Sequence, residues 1–135
     1  MDYLVVMEAL ARHPTTADTQ AVALKAFARI AEAWGLPLRE AAALADMSES
    51  TWKRARKPGY SGELTHDQML RLSALVGLYK ALELYFNMPL SRDWVRLPNR
   101  GPQFDGARPV DRMIADGLPG ILRTRDHLDA LRGGV

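Results

Sequence analysis

The chain has 135 residues, of which 47% are hydrophobic and 25% charged, a balance typical of one or two compact folded units. It contains no cysteine, which excludes disulfides, thiol nucleophiles and cysteine-ligated zinc sites. No apolar run approaches the roughly 20 residues that span a bilayer, and the start of the chain lacks the basic stretch of a signal peptide. We therefore expect a cytoplasmic protein with no membrane segment.

The net charge is +2, from 18 basic and 16 acidic residues, which is low for a protein that coats nucleic acid without sequence preference. Any binding to DNA must then come from a local cluster of cations. One such cluster lies at residues 53–57, with the sequence Lys-Arg-Ala-Arg-Lys.

The periodicity of apolar residues predicts helices throughout, and no stretch shows the sustained alternation of apolar and polar residues that is typical of a strand. A short helix is predicted over residues 3–11, and a longer one begins at Thr16 or Asp18 and ends at Gly35. The apolar face of the longer helix is predicted to consist of Val22, Ala26, Phe27, Ile30, Ala33 and Trp34.

The next two helices are short and joined by a tight turn, the arrangement of a helix-turn-helix. They run from Leu38 to about Ala45 and from Glu49 to about Lys57, with Ser48 as the N-cap of the second. Asp46 takes the turn position that often holds glycine, where it must tolerate a left-handed backbone. The residues predicted to face inward are Ala41, Ala42, Ala45, Met47, Trp52 and Ala55.

The outward face of the second helix predicts contact with DNA. In a docked helix-turn-helix the exposed N-terminal side chains meet base edges and the basic ones meet phosphates. The predicted DNA-binding residues are Ser48, Ser50, Lys53, Arg54 and Lys57. A helical hairpin with a solvated basic face explains the same residues without DNA, and Glu49 would repel phosphate.

A long helix is predicted from the capping box of Thr65 and Gln68 to Phe86 or Asn87. Its two apolar stripes are Met69, Leu72, Val76, Tyr79 and Phe86, and Leu70, Ala74, Leu78, Ala81 and Tyr85. A helix that is apolar on most of its circumference must be covered on two sides, either by two lobes or by a lobe and a second subunit. We therefore predict a homodimer through the long helix, and two domains at residues 1–64 and 65–135.

The C-terminal half is rich in proline, glycine and arginine. Short helices are predicted over residues 90–96, with Trp94, and from Pro109 to Gly117. A last helix from about Pro119 is predicted to present Ile121, Leu122, Leu128 and Leu131. Arginine is a frequent anchor of protein interfaces, although a solvated surface is the alternative for most of these side chains.

No arrangement of residues predicts catalysis. The three histidines lack the spacing of metal ligands, and neither a phosphate-binding loop nor a nucleophile elbow is present. We expect no enzymatic activity, no metal and no cofactor.

The C-terminal motifs are Trp94-Val95-x-x-Pro98-Asn99, Phe104-x-Gly106-x-x-Pro109, Gly120-Ile121 and Leu128-x-x-Leu131-x-Gly133. Following a helix-turn-helix and a long helix, they resemble the Xre/MbcA/ParS antitoxins, over nearly the whole chain from about residue 20. The resemblance implies an all-α fold in which an N-terminal Xre-like helix-turn-helix lobe is joined through the long helix to a small helical toxin-binding domain.

The resemblance also implies a function and a partner. It implies an antitoxin that occludes the active site of a RES-domain toxin, an ADP-ribosyltransferase-like enzyme that uses NAD, and that represses its own operon by binding operator DNA. The predicted toxin-binding residues are Arg96, Asn99, Arg100, Arg123, Arg132, Gly133, Gly134 and Val135. Residues 131–135 are the predicted plug, small and ending in a carboxylate that can imitate a phosphate.

Two other functions stay open at this point. A stand-alone transcriptional repressor would share the helix-turn-helix and would use the C-terminal half to dimerise or to bind an effector. A helical adaptor with an inactive helix-turn-helix would not respond, in any DNA-binding assay, to the substitution of Lys53 and Arg54.

Overall fold

The computed structural model describes residues 16–133. The helix predicted over residues 3–11 and two predicted toxin contacts, Gly134 and Val135, lie outside the described residues. The described part contains seven α-helices and one 3-10 helix and no strand, which confirms the all-α prediction. The helices are α1 (Thr16–Ala33), α2 (Leu38–Leu44), α3 (Glu49–Ala55), α4 (His66–Tyr85), α5 (Leu90–Asp93), the 3-10 helix (Trp94–Arg96), α6 (Pro109–Asp116) and α7 (Leu118–Arg132).

The helix boundaries follow local signals in the sequence. Ser48 caps α3, and its Oγ accepts a hydrogen bond from the backbone N–H of Thr51 at 3.1 Å. Thr65 and Gln68 form both hydrogen bonds of the predicted capping box of α4. Gly117 has φ 67°, which ends α6 and lets α7 begin in a new direction at the next residue.

The long helix α4 contacts both α1 and α7, so it is covered within its own chain. Leu78 and Ala81, from the second predicted stripe, are buried in this way, and so are Leu72 and Val76 from the first. Leu78 and Ala81 are therefore covered within the chain and offer no surface to another subunit. The homodimer through the long helix stays a prediction that Leu78 and Ala81 do not support.

One hydrophobic core extends from α1 to α7, so the two predicted domains share it. The division at residue 64 stays a prediction. In α7 the buried face consists of Ile121, Thr124 and Leu128, at positions i, i+3 and i+7. Leu122 and Leu131, the other two apolar residues predicted on this helix, lie off this face and are exposed.

None of the described helices is long and apolar enough to cross a bilayer. Within residues 16–133, no group of three or more histidine or acidic side chains is arranged to hold a metal ion.

Candidate functional site

The turn between α2 and α3 is held in place by α4. Asp46 has φ 57°, the left-handed conformation predicted for this position. Its carbonyl oxygen accepts a hydrogen bond from Nε2 of Gln68 at 2.9 Å. Because Gln68 also completes the capping box of α4, the start of the long helix and the turn of the helix-turn-helix are fixed to each other.

The rotation of α3 about its axis is set by its inner face. Trp52 and Ala55 are buried, as predicted, and the ring of Trp52 lies 5.2 Å from that of Phe27 in α1. This packing decides which side chains of α3 face outward. All five predicted DNA-binding residues are exposed: Ser48, Ser50, Lys53, Arg54 and Lys57.

Three of these five side chains have contacts within the helix-turn-helix itself. The Ser48 hydroxyl caps α3, donates to Oγ1 of Thr51 at 2.9 Å and lies 3.3 Å from the hydroxyl of Ser50. Arg54 Nη2 donates to the same Thr51 hydroxyl at 3.5 Å. Lys53 has no such contact in the part of the chain that the structure describes, so its ammonium group is available to a phosphate.

An aromatic cluster packs the loop of residues 97–107 against α7. Trp94 and Phe104 are buried, with ring centroids 5.9 Å apart in an edge-to-face arrangement. The imidazole of His127 lies 6.2 Å from Trp94 and 5.1 Å from Phe104. Burial in this cluster lowers the pKa of His127, which favours the neutral ring.

Asn99, a predicted toxin contact, is engaged inside this loop. Its backbone N–H donates to the carbonyl of Ala107 at 3.1 Å, and its carbonyl accepts from the N–H of Gly106 at 2.8 Å. Its side-chain Oδ1 accepts from the N–H of Gly101 at 2.7 Å. Asn99 therefore shapes the loop, and only its side-chain NH₂ group is left for a partner.

Three of the four predicted arginine contacts are spread over the C-terminal half. Arg96 donates to Asp93 at 2.9 Å in the 3-10 helix region, and Arg123 donates to Asp116 at 2.9 Å between α7 and α6. Arg100 is exposed in the loop. The structure does not gather these residues into one pocket, so a partner that contacts all three must cover a broad surface.

The fourth arginine, Arg132, lies in a groove between the ends of α4 and α7. We call it the end groove; it has a volume of about 380 Å³. Its lining residues are Leu84, Tyr85, Phe86, Leu128, Leu131 and Arg132. The guanidinium of Arg132 lies 5.3 Å from the centroid of the Tyr85 ring, and the Tyr85 hydroxyl donates to Asp129 at 2.9 Å. This hydrogen bond lowers the pKa of Asp129.

The end groove exposes two leucines that a folded chain would normally cover. Leu84 is 70% exposed and Leu131 is 56% exposed. Leu84 is absent from the sequence prediction of the partner surface, although it lies outside both apolar stripes of the long helix. An apolar residue outside the stripes that build the core is the signal that could have identified it.

A network of ion pairs joins the helix-turn-helix to the C-terminal half. Arg108 Nη2 donates to Oε2 of Glu40 at 2.8 Å and to Oδ1 of Asp111 at 2.7 Å. Hydrogen bonds from Arg108 lower the pKa of Asp111, and those to both carboxylates raise the pKa of Arg108. Glu40 and Arg108 are 68 positions apart, so no local pattern could pair them.

Comparison with known proteins assigns both halves of the chain. Residues 13–77 match the family model of the antitoxin Xre-like helix-turn-helix domain, and residues 81–134 match that of the antitoxin Xre/MbcA/ParS C-terminal toxin-binding domain. The chain is also similar to the uncharacterized protein y4oB of Sinorhizobium fredii (strain NBRC 101917 / NGR234). The two are 38% identical over 113 residues, which cover 82% of this chain and 84% of that protein.

Proposed function

The chain belongs to the Xre/MbcA/ParS antitoxins, with a helix-turn-helix domain followed by a toxin-binding domain, and on this premise we propose that its toxin is a RES-domain enzyme that uses NAD. Members of these families are regulatory proteins without enzymatic activity. The observation that carries the proposal is the toxin-binding domain over residues 81–134. A stand-alone repressor has no need of such a domain, so the match favours an antitoxin over that alternative.

We propose that the antitoxin acts by occlusion, with the end of α7 placed at the toxin's NAD site. Leu84 and Leu131 supply exposed apolar area beside that end, and burying each against a partner contributes about 2 kcal/mol. Residues 133–135, Gly-Gly-Val, are small enough to enter a narrow pocket. In this arrangement the end groove fixes the antitoxin on the toxin, and the residues after Arg132 exclude the substrate.

Co-purification tests the proposed surface. A tagged RES-domain toxin encoded beside this chain is co-expressed with the full chain, and the retained antitoxin is quantified. The charge-introducing double substitution Leu84→Glu/Leu131→Glu is expected to abolish retention, because it places two carboxylates on the apolar contact. Leu122→Glu, at a leucine that is exposed but does not line the end groove, is the matched control and should be retained. Equal retention of the wild type, the double variant and the control would refute the end groove as the toxin-binding surface.

We also propose that the antitoxin represses its own operon through the outer face of α3. Lys53→Ala/Arg54→Ala should lose binding to the DNA upstream of the operon and still neutralise the toxin, because the two surfaces lie in different domains. An adaptor with an inactive helix-turn-helix predicts no change in DNA binding, since the wild-type chain would not bind.

A homodimer through the long helix is part of this proposal. Two-fold symmetry would place two copies of α3 about 34 Å apart and make the operator palindromic. Leu70 of α4 belongs to the second predicted stripe and is 42% exposed, so it is available for such a contact. Sedimentation of the chain without toxin at micromolar concentration should give the mass of a dimer, and a monomer would count against it.

A further inference from the structure

Between α1 and the C-terminal end of α3 lies an open cleft of about 620 Å³, which we call the basic cleft. Four cations are among its lining residues: Lys25 and Arg29 from α1, and Arg56 and Lys57 after α3. A smaller depression of about 320 Å³ adjoins it and shares Lys25, Arg56 and Lys57. Lys57 is one of the predicted DNA-binding residues. Neither that prediction nor the family assignment gives a role to Lys25, Arg29 or Arg56.

None of the four cations makes a contact, in the described part of the chain, that would explain it as a stabilising element of the fold. Within residues 16–133 none of the four side chains has an ion pair or a hydrogen bond. Arg56 and Lys57 follow the C-terminus of α3, where positive charge is favourable to the helix dipole. Lys25 and Arg29 lie in the middle of α1 and lack even that role. Four like charges around one cleft repel each other, which is the pattern of a site for an anion.

The cations of the helix-turn-helix are concentrated at the basic cleft and on α3, which favours binding of an extended anion. Residues 16–64 contain seven cations: Lys25, Arg29, Arg39, Lys53, Arg54, Arg56 and Lys57. All except Arg39 line the basic cleft or lie on α3. Lys57, which follows the C-terminus of α3, is one of the predicted DNA contacts and also lines the cleft, so the predicted DNA-binding residues and the cleft meet at this side chain. A polyanion that contacts the outer face of α3 is thereby led into the basic cleft.

We propose that the basic cleft holds the sugar-phosphate backbone of the DNA that flanks the site read by α3, with Lys25 and Arg29 as phosphate contacts. This inference rests on the proposed DNA binding and extends its contact surface to α1. The lining of the cleft also includes Ala28, Leu36 and Leu38, which suit the apolar edge of deoxyribose between two phosphates. Glu32 is the one acid among the lining residues, and its carboxylate weakens the attraction of the cleft for phosphate.

The test is the salt dependence of binding to duplex DNA, measured by fluorescence anisotropy on the full chain. Two duplexes are used, the DNA upstream of the operon and a scrambled sequence of the same length. Lys25→Ala/Arg29→Ala should weaken binding to both by at least about tenfold, because phosphate contacts carry no sequence information. The slope of log K against log salt should become shallower by about two. Arg100→Ala/Arg123→Ala, which removes two exposed cations of the C-terminal half, is the charge-matched control and should leave both quantities unchanged, while Glu32→Gln should tighten binding.

The possible results distinguish a failure of the basic cleft as a DNA contact from a failure of the proposed DNA binding itself. Failure of the wild-type chain to bind either duplex overturns both. If the double variant binds with the same affinity and the same salt slope as the wild type, the assignment of the basic cleft to DNA is overturned and the DNA binding of α3 is not. A loss of affinity confined to the upstream DNA has the same consequence. Binding of adenosine monophosphate by the wild type and not by the variant, with equal DNA affinity, would assign the cleft to a small phosphorylated ligand and overturn the DNA assignment.

Discussion

The ion pair between Glu40 and Arg108 is predicted to hold the helix-turn-helix to the toxin-binding domain. The side chain of Glu40 is 7% exposed and that of Arg108 is 33% exposed, so Arg108→Ala strands a nearly buried carboxylate. Removing one partner of a fully buried pair costs about 3–5 kcal/mol, and the partial exposure of Arg108 reduces this to about 2 kcal/mol. The buried Oε1 of Glu40 has no hydrogen-bond partner within the described residues. The other cation near this carboxylate, Arg39, is 72% exposed with its Nη2 3.7 Å from Oε2, so it compensates only in part for the lost guanidinium.

Urea unfolding followed by tryptophan fluorescence measures this effect. For a slope near 2 kcal/mol per molar, Arg108→Ala should lower the midpoint by about 1 M. Adding Glu40→Gln to that variant should cost nothing further, because the stranded charge is removed with it. Arg123→Ala breaks an exposed pair of similar length and should cost less than about 1 kcal/mol. Equal effects of Arg108→Ala and Arg123→Ala, or a further loss in the Glu40→Gln double variant, would refute the reasoning.

Three further predictions concern single positions. Asp46→Gly should raise the free energy of unfolding by about 0.5 kcal/mol, since glycine adopts φ 57° without strain; a lower urea midpoint would contradict this. Gly120→Ala should lower that free energy by about 1–3 kcal/mol, because the new Cβ would lie 2.9 Å from the carbonyl oxygen of Arg112; an unchanged midpoint would show that α6 and α7 separate without cost. The lowered pKa of His127 means that its stabilising effect is complete above its ordinary value of 6.5 and is lost as the pH falls through the folded value. His127→Phe should therefore lose less stability than the wild type on acidification from pH 6.5, and parallel loss in both would argue against the aromatic environment.

The helix-turn-helix could be predicted in detail because each of its determinants acts over a few residues. The cap at Ser48, the left-handed turn at Asp46 and the inward position of Trp52 follow from local chemistry and helical period. The five exposed residues of its outer face follow from the same period. Their contact with DNA stays a prediction, because exposure does not identify a ligand.

The parts that the sequence could not supply depend on contacts between distant segments. The helical period identifies two apolar stripes on α4, but it does not say whether α7 or another subunit covers the second one. Leu131 has the spacing of a core residue and is exposed, because the rotation of α7 is set by Ile121 and Leu128. In the sequence, Lys25 is an ordinary polar position of α1. Its place in the basic cleft depends on the packing of α1 next to α3.

The proposed occlusion of the toxin can be measured directly as NAD consumption by the purified toxin, titrated with the antitoxin. The full chain is compared with a chain that lacks residues 133–135, and binding of each is measured in parallel. We predict that the full chain stops NAD consumption, whereas the truncated chain still binds through the end groove but leaves the toxin active. Complete inhibition by the truncated chain, or full-chain binding that leaves NAD consumption unchanged, would contradict occlusion by the end of α7.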